Sequence, residues 1–450
     1  MNIALVILAA GKGTRMNSDL PKVLHPLASA PLLVHAMQTG ASLAPEKIVV
    51  VAGHGAEQVR KAALSHDATA IVVEQAEQLG TAHAAAQARA ALQSFQGIAI
   101  VLFGDTPFVS PETLEKMVAA QADNDVVILG FEAADPARYG RLVMQGDQLD
   151  RIVEFKDASE AERAITLCNS GVVACDANLL FDLIAAVTND NAAGEYYLPD
   201  IVSLARAQDL KATVVLCDEA ETLGINTRAE LASAEAAYQT RARHDAFENG
   251  VTMPAPDTVH FAFDTVIGRD TVIEPNVVFG PGVTVESGAT IRAFSHLEGC
   301  HVARGGVIGP YARLRPGTEL SENVRIGNFV EVKNANIGTG SKVNHLSYIG
   351  DATLGEQTNV GAGTITCNYD GVMKHHTHIG SHVFIGSNTM LVAPVHIGDG
   401  AMTGSGSVIT SDVEPEALAL ARAPQVEKAG TAAKLFKILR AKKAQQDRGS

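Results

Sequence analysis

The sequence predicts two architectures in one chain: an α/β, Rossmann-like domain, then a linker helix and a left-handed parallel β-helix of hexapeptide repeats. Three observations predict this. Apolar runs alternate with helix-like segments through the first half. One uninterrupted helical pattern follows, from Arg228 to Asn249. Beyond it, aliphatic residues recur six positions apart, a period that no α-helix has.

The run "IALVILAA" from Ile3 is apolar throughout, as a strand covered on both faces must be. It is about half the roughly 20 residues that cross a bilayer, and it lacks a basic flank and a cleavage site, so it reads as neither span nor signal peptide. "PLLVHAMQTGASL" reads as a helix with Pro31 in its first turn. "KIVVVAG" is strand-like, "TAHAAAQARAAL" an Ala-rich helix, and "IAIVLFGD" a strand. Ser110 caps "SPETLEKMVAAQ", with Pro111 at the next position, and "VVILGF" follows as a strand. Apolar strands between helices imply a parallel sheet covered on both faces, whose ligands sit beyond the strands' carboxyl ends. In the linker, Leu231, Ala234, Tyr238, Ala242 and Ala246 repeat at helical spacing, and Asn249-Gly250 with Pro254 ends it.

The six-residue series runs through Ile267, Ile273, Phe279, Val285, Ile291 and Leu297, and resumes at Ile379, Ile385, Leu391 and Ile397. Three flat faces make one turn, so residues 265 to 410 allow roughly eight turns of about 18 residues. "TCNYDGVMKHHT", Thr366 to Thr377, breaks the phase and reads as a loop leaving the solenoid, where function tends to sit. The implied boundaries are 1–228, a linker at 229–250, a β-helix at 251–430 and a basic amphipathic tail at 431–450. That tail is either a solvated end or a packing and phosphate-contact segment.

A net charge of −15 argues against a dedicated nucleic-acid binder. Five cysteines without a CxxC spacing suggest neither a disulfide framework nor a zinc site. Free thiols fit a reducing cytoplasm, and no membrane role is expected.

"LAAGKGTRM", Leu8 to Met16, fails two phosphate-binding fingerprints. It lacks the Gly-Lys-Ser/Thr of a P-loop, and Met16 stands where a dinucleotide fingerprint needs its third Gly. Gly11 and Gly13 still let backbone N–H groups approach phosphate oxygens, and Arg15 and Lys22 add positive charge. Phosphoryl and nucleotidyl transfer need such neutralisation. Asp105, in "FGDTP" at a strand end, is placed to hold Mg²⁺ against triphosphate oxygens.

In the second half, Arg315, Lys333, His345, Tyr348, Asn359, Ala362, Asn368 and Tyr369 lie within a few solenoid turns. Acyl transfer to an amine needs a base in the range of His. His375, His376 and His378 invite a metal reading, but the sequence shows no nearby carboxylate or Cys to complete a site.

"LAAGKGTRM…PK", "EQLGTAHA" and "GDTP", in this order, resemble the sugar-1-phosphate nucleotidyltransferases. Joined to a long hexapeptide β-helix, they resemble the bifunctional N-acetylglucosamine-1-phosphate uridyltransferase and glucosamine-1-phosphate acetyltransferase family over nearly the whole chain, up to about residue 430. The resemblance implies that Leu8, Ala9, Ala10, Gly11, Gln75, Gly80 and Thr81 surround uracil and ribose. Phe103 stands where a Tyr is common in the family. Gly140, Glu154 and Asn169 would hold the sugar, Asp105 and Asn226 the Mg²⁺, and Arg15 and Lys22 the phosphates of UTP. In the second half, His345 would be the general base, Arg315 and Lys333 would hold the sugar phosphate, and Tyr348 and Asn359 the sugar. Ala362, Asn368, Tyr369, Ser387, Ser405 and Arg422 would line acetyl-CoA. A homotrimer is implied, with each acetyl site built from more than one chain. Two rival readings remain at this point: a single-activity nucleotidyltransferase with a structural β-helix, and a non-catalytic subunit. The first has no use for the His345, Tyr348 and Asn359 cluster; the second has none for the intact loop with Asp105 and Asn226.

Overall fold

Every residue of β1 (Ile3–Ala9) is buried in the computed structural model, which describes residues 2–447. With β2 (Lys47–Ala52), β3 (Ile71–Glu74), β4 (Ile98–Phe103), β5 (Val126–Glu132), β6 (Leu167–Asp176) and β7 (Ala212–Leu216), it forms a sheet of order β7-β5-β6-β4-β1-β2-β3. Strands β1, β2, β3 and β4 pair in parallel, as the apolar runs imply. The sheet is nonetheless mixed, because β6 runs antiparallel to both β4 and β5. After β5 the chain stays at the carboxyl end of the sheet, forms the hairpin Arg141–Gln145 and Gln148–Val153, and enters β6 from that end. Asn169 and Gly171, early in β6, therefore lie where the parallel strands finish.

Both faces are covered. Leu5, Ile7 and Val50 pack with Leu33, Met37 and Leu114 on one side; Val6, Val49 and Val101 pack with Ala85, Leu180 and Val202 on the other. Two segments supply much of the first cover, α1 (Leu32–Ala41) and α2 (Pro111–Ala120). Ser110 caps the latter by accepting from the Thr113 N–H, as expected. The Ala-rich helix expected from Thr81 stops at Ala86. Tight turns replace it, with Arg89 bonded to Ala86 and Phe95 to Leu92, and they draw Leu92 and Phe95 into the core.

The long helix α3 (Arg228–Glu248) is present. Its Ala234 is buried, and Leu231 and Tyr238 pack beside Leu27, Leu32 and Phe108. Buried Gln239 donates to the Phe261 carbonyl at 2.8 Å and accepts from the Phe261 N–H at 2.9 Å, so its amide is matched on both sides. The chain divides into two units. One holds the chain up to Ala246 with Phe261–Thr265; the other holds Phe247–His260 and the chain from Val266.

The second unit is a left-handed parallel β-helix of three strand columns. Most strands are two or three residues long, which is enough to send one side chain inward and one outward. The inward positions stack: Ile273, Ile291, Ile308, Ile326, Val343 and Val360 form one buried column. This is the six-residue series seen from inside. The solenoid continues beyond residue 410, to Leu418–Ala419. The Thr366–Thr377 segment does leave it, and Tyr369 and Lys374 bridge across that excursion. A last helix, α4 (Thr431–Gln446), is exposed along its length; residues 448–450 of the expected tail lie outside the described residues. No helix among the described residues is long and apolar enough to cross a membrane.

The stack carries the fold, so one truncation inside it should cost far more than one outside. Ile326→Ala leaves a cavity between Ile308 and Val343 and should destabilise by about 2–5 kcal/mol. Chemical denaturation should show this drop, while Arg325→Ala, whose side chain points outward, should stay within roughly 0.5 kcal/mol of the parent.

Candidate functional sites

A cavity of about 310 Å³ opens at the carboxyl ends of β1 and β4. Leu8, Ala9, Ala10, Gly11, Lys22, Gln75, Gly80, Thr81, Phe103 and Asp105 all line it. The loop from Gly11 turns sharply because Gly13 adopts φ +58 and packs against the Lys22 side chain. Lys22 then sends its ammonium between two oxygens: it pairs with the Asp105 carboxylate and donates to Asn226 Oδ1 at 3.0 Å. Arg15 sits on the same loop, exposed, and is not among the lining residues.

Gly80 has φ +122, and a side chain there would strike the backbone of Tyr196, so the loop before Thr81 needs this glycine. Gly171 has φ +90 and lies under the Phe103 ring, beside a bulge in β6 between Asn169 and Val173. Asn169, Gly140 and Glu154 cluster. The Asn169 N–H donates to the Gly140 carbonyl at 2.9 Å, and a Cβ on Gly140 would lie 3.0 Å from Glu154 Oε1. Burial, with the charges of Asp200 and Asp157, holds the Glu154 carboxyl above its ordinary value despite Arg141.

On the β-helix, two corner columns carry the expected residues. Asn328, His345, Ala362, Ser387 and Ser405 follow one another along one corner. Backbone bonds from Leu346 to Asn328, Gly363 to His345, Asn388 to Ala362 and Gly406 to Ser387 tie these turns together. His345 Nδ1 lies 2.6 Å from Asn328 Oδ1. An amide oxygen only accepts, so Nδ1 carries a proton in this contact, and in the neutral ring the lone pair sits on Nε2. Asn359 pairs with Lys342 in the adjoining strand, and Arg422 donates to the Ser405 carbonyl at 2.6 Å.

The second corner holds the cations. Arg315 and Lys333 sit on successive turns, and Arg315 pairs with Glu331 at 2.8 Å. Asn368 lies 3.5 Å from the Tyr348 hydroxyl and also meets Asp351, which accepts from Asn334 at 2.7 Å. Burial pushes the Asp351 carboxyl up, but these amides, with Lys333 and Lys374, outweigh it and hold it below its ordinary value. Lys374 arrives from the excursion loop, and its proximity to Lys333 depresses its pKa. Two ammonium groups at one place repel unless an anion joins them. Tyr369 is exposed, its hydroxyl bonded to the Gly371 carbonyl.

The sequence profile described as MobA-like NTP transferase domain matches residues 5–166. That of the bacterial transferase hexapeptide (six repeats) matches residues 264–299 and 376–411. The chain is 79% identical to Bifunctional protein GlmU of Roseobacter denitrificans over 450 residues, covering 100% of both chains. It is 70% identical to that of Ruegeria pomeroyi and 68% to that of Ruegeria sp. (strain TM1040), again covering 100% of each chain.

The chain belongs to the GlmU family. It is a bifunctional enzyme, with an NTP transferase in its first half and a hexapeptide acetyltransferase in its second. In this GlmU family member, several site neighbours carry no sequence signal of their own. Val23, Gln78, Ala84 and Glu195 also line the first cavity, and Glu195 comes from a segment with no periodicity. Arg228 reaches the Met16 carbonyl at 3.3 Å and His25 at 3.1 Å, which ties the Gly-rich loop to α3. Asn328 and Lys374 were equally silent. The histidine cluster needs a correction: a carboxylate is close, because His375 pairs with Asp370 at 2.7 Å. Folding back of the excursion loop brings the two together. Among the described residues, no group of three or more His, Cys, Asp or Glu is arranged to hold a metal ion.

Glu154 gives a pH test. Its folded-state pKa exceeds the ordinary 4.5, so folding favours the protonated form. Its contribution is complete below pH 4.5 and is lost as pH rises through the raised value. Relative to Glu154→Gln, the wild-type denaturation midpoint should therefore fall as pH rises above 4.5 and through the raised value. Parallel pH profiles for the two proteins would refute the burial argument.

Proposed function

We propose that the second half acetylates glucosamine 1-phosphate with acetyl-CoA, and that the first half then couples N-acetylglucosamine 1-phosphate to UTP, giving UDP-N-acetylglucosamine and pyrophosphate. The observation that carries this reading is that each unit has a separate constellation suited to one of the two chemistries. In the first unit it is the cavity ending at Lys22, Asp105 and Asn226; in the second it is His345 oriented by Asn328. The domain limits proposed are those of the sequence: 1–228, 229–250, 251–430 and 431–450. UTP and acetyl-CoA as substrates suit a cytoplasmic enzyme.

In uridylyl transfer, a phosphate oxygen of the sugar phosphate attacks the α-phosphorus of UTP in line. The new P–O bond forms as the α–β bond breaks, and pyrophosphate leaves. The chain supplies position and charge, with no covalent nucleophile. Gly140, Glu154 and Asn169 hold the sugar, and Arg15 faces the departing pyrophosphate. Asp105 and Asn226 offer a carboxylate and an amide oxygen that already converge on a cation, the Lys22 ammonium. Hard oxygen donors of this kind fit Mg²⁺, which commonly takes one or two protein ligands and completes its shell with phosphates and water. When bound, Mg²⁺ would neutralise phosphate charge there.

In acetyl transfer, His345 Nε2 removes a proton from the amine as nitrogen attacks the acetyl carbonyl. The C–S bond then breaks, and the leaving CoA sulfur takes the proton from His345 to depart as a thiol. Arg315, Lys333 and Lys374 hold the sugar phosphate. A homotrimer completes the site. Beside His345, the corner residues Phe294, Tyr311, Phe329 and Leu346 form an exposed apolar ladder, with rings stacked at 4.9 and 5.1 Å. An exposed apolar ladder next to the proposed catalytic column favours cover by another copy.

Two experiments test this reading. His345→Ala should abolish acetyl transfer and leave uridylyl transfer intact, and Asp105→Ala should do the reverse; joint loss with the fold preserved would break the two-site scheme. Phe329→Glu should convert trimer to monomer in analytical ultracentrifugation and remove acetyl transfer alone. A monomeric wild type, or a fully active trimeric variant, would exclude the ladder as the interface.

A further inference from the structure

Gln75 is 3% exposed and lines the nucleotide cavity, and its amide has a defined direction. Its Nε2 lies 3.2 Å from the Gly80 carbonyl and 3.0 Å from His83 Nδ1. The carbonyl can only accept, so the amide nitrogen must face it. The second hydrogen of that nitrogen then points at His83, and Nδ1 must accept it. No donor among the described residues is seen to meet Gln75 Oε1, which leaves this oxygen for whatever enters the cavity.

His83 has a second neighbour. The Gln87 amide nitrogen donates to the His83 carbonyl at 2.9 Å and lies 3.3 Å from His83 Nε2. With Nδ1 accepting, Nε2 carries the hydrogen, so one of the two glutamines must yield. Turning Gln75 would set oxygen against the Gly80 carbonyl in a buried place. Turning Gln87 sets oxygen against a carbonyl in a half-exposed place, where water can intervene. The buried contact therefore decides the tautomer.

We propose that His83 is a positioning residue for nucleobase selection: by accepting from Gln75 Nε2, it presents Gln75 Oε1 as a fixed acceptor to the base. A ring N–H, as on N3 of uracil, satisfies that oxygen. Cytosine places a lone pair at the same position and meets repulsion. Without an acceptor at His83, only the 3.2 Å contact with the Gly80 carbonyl still restrains the Gln75 amide, so its oxygen is held less firmly and discrimination between the two bases weakens. This proposal rests on the uridylyl-transfer reading above.

The test uses the full chain, with UTP and CTP as alternative substrates. The wild type should prefer UTP. His83→Leu removes the acceptor and should lower the UTP-to-CTP ratio of kcat/KM about tenfold, mainly through a higher KM for UTP. His83→Asn, whose Oδ1 can accept at the same place, should restore the ratio. Acetyl transfer, made by the other unit, should be unchanged in both variants and so reports an intact protein. Gln75→Leu should lose the preference too, and adding His83→Leu to it should cost nothing more. An undiminished preference in His83→Leu, or a loss that His83→Asn does not restore, would overturn the positioning role while leaving uridylyl transfer standing. A wild type indifferent to the base would overturn that reading of the site, and this proposal with it.

Discussion

The ammonium of Lys22, held between Asp105 and Asn226, is the contact on which the first site depends. Its partners stand 83 and 204 residues away in sequence, so it joins the Gly-rich loop, the end of β4 and the segment entering α3. All three groups are drawn into a partly buried position, where an unpaired charge would be expensive. The loop cannot move far without leaving a carboxylate uncompensated. Arg228 adds a second tether from the start of α3 to the same loop.

In the β-helix the organising constraint is different. An inward aliphatic side chain in each short strand fixes the register of the next turn, because a one-residue slip would expose the whole stack. That register also sets the chemistry. Outward corner positions fall one above another, so residues 17 to 25 apart in sequence become neighbours, as His345 does with Asn328 and Glu356 with Ser381. The excursion at Thr366–Thr377 departs from the stack without disturbing it, since Thr377 rejoins the column beside Ala352. It returns Lys374 to the neighbourhood of Lys333.

Much of the first cavity was legible because its residues lie at strand ends and glycine turns, where residue type and backbone need coincide. Gly11, Lys22 and Asp105 are of that kind, whereas Gln75 and Gly80 came only from the family resemblance. Glu195 and Asn328 were not legible, because nothing in their local sequence distinguishes them from ordinary surface residues; Lys374 stands in the phase break that the sequence marks, but nothing there sets it apart from its neighbours. The expected parallel sheet failed at β6 for a related reason. An apolar run states that a strand is buried, but not in which direction the chain enters it. The Ala-rich helix was overextended because helix propensity is a weak preference, and packing of Leu92 and Phe95 outweighed it.

By itself, the sequence determined the period of six, the buried strands, the glycine turns and the residue types able to carry charge to a phosphate or take a proton from an amine. These are local properties, set by sterics, propensity and chemical identity. Only the tertiary structure decided the partners: Lys22 with Asp105 and Asn226, Gln75 with His83, His345 with Asn328, Lys333 with Lys374. Hydrogen bonds and charge pairs act over a few ångströms, and the path of the chain between two distant residues determines whether they come that close.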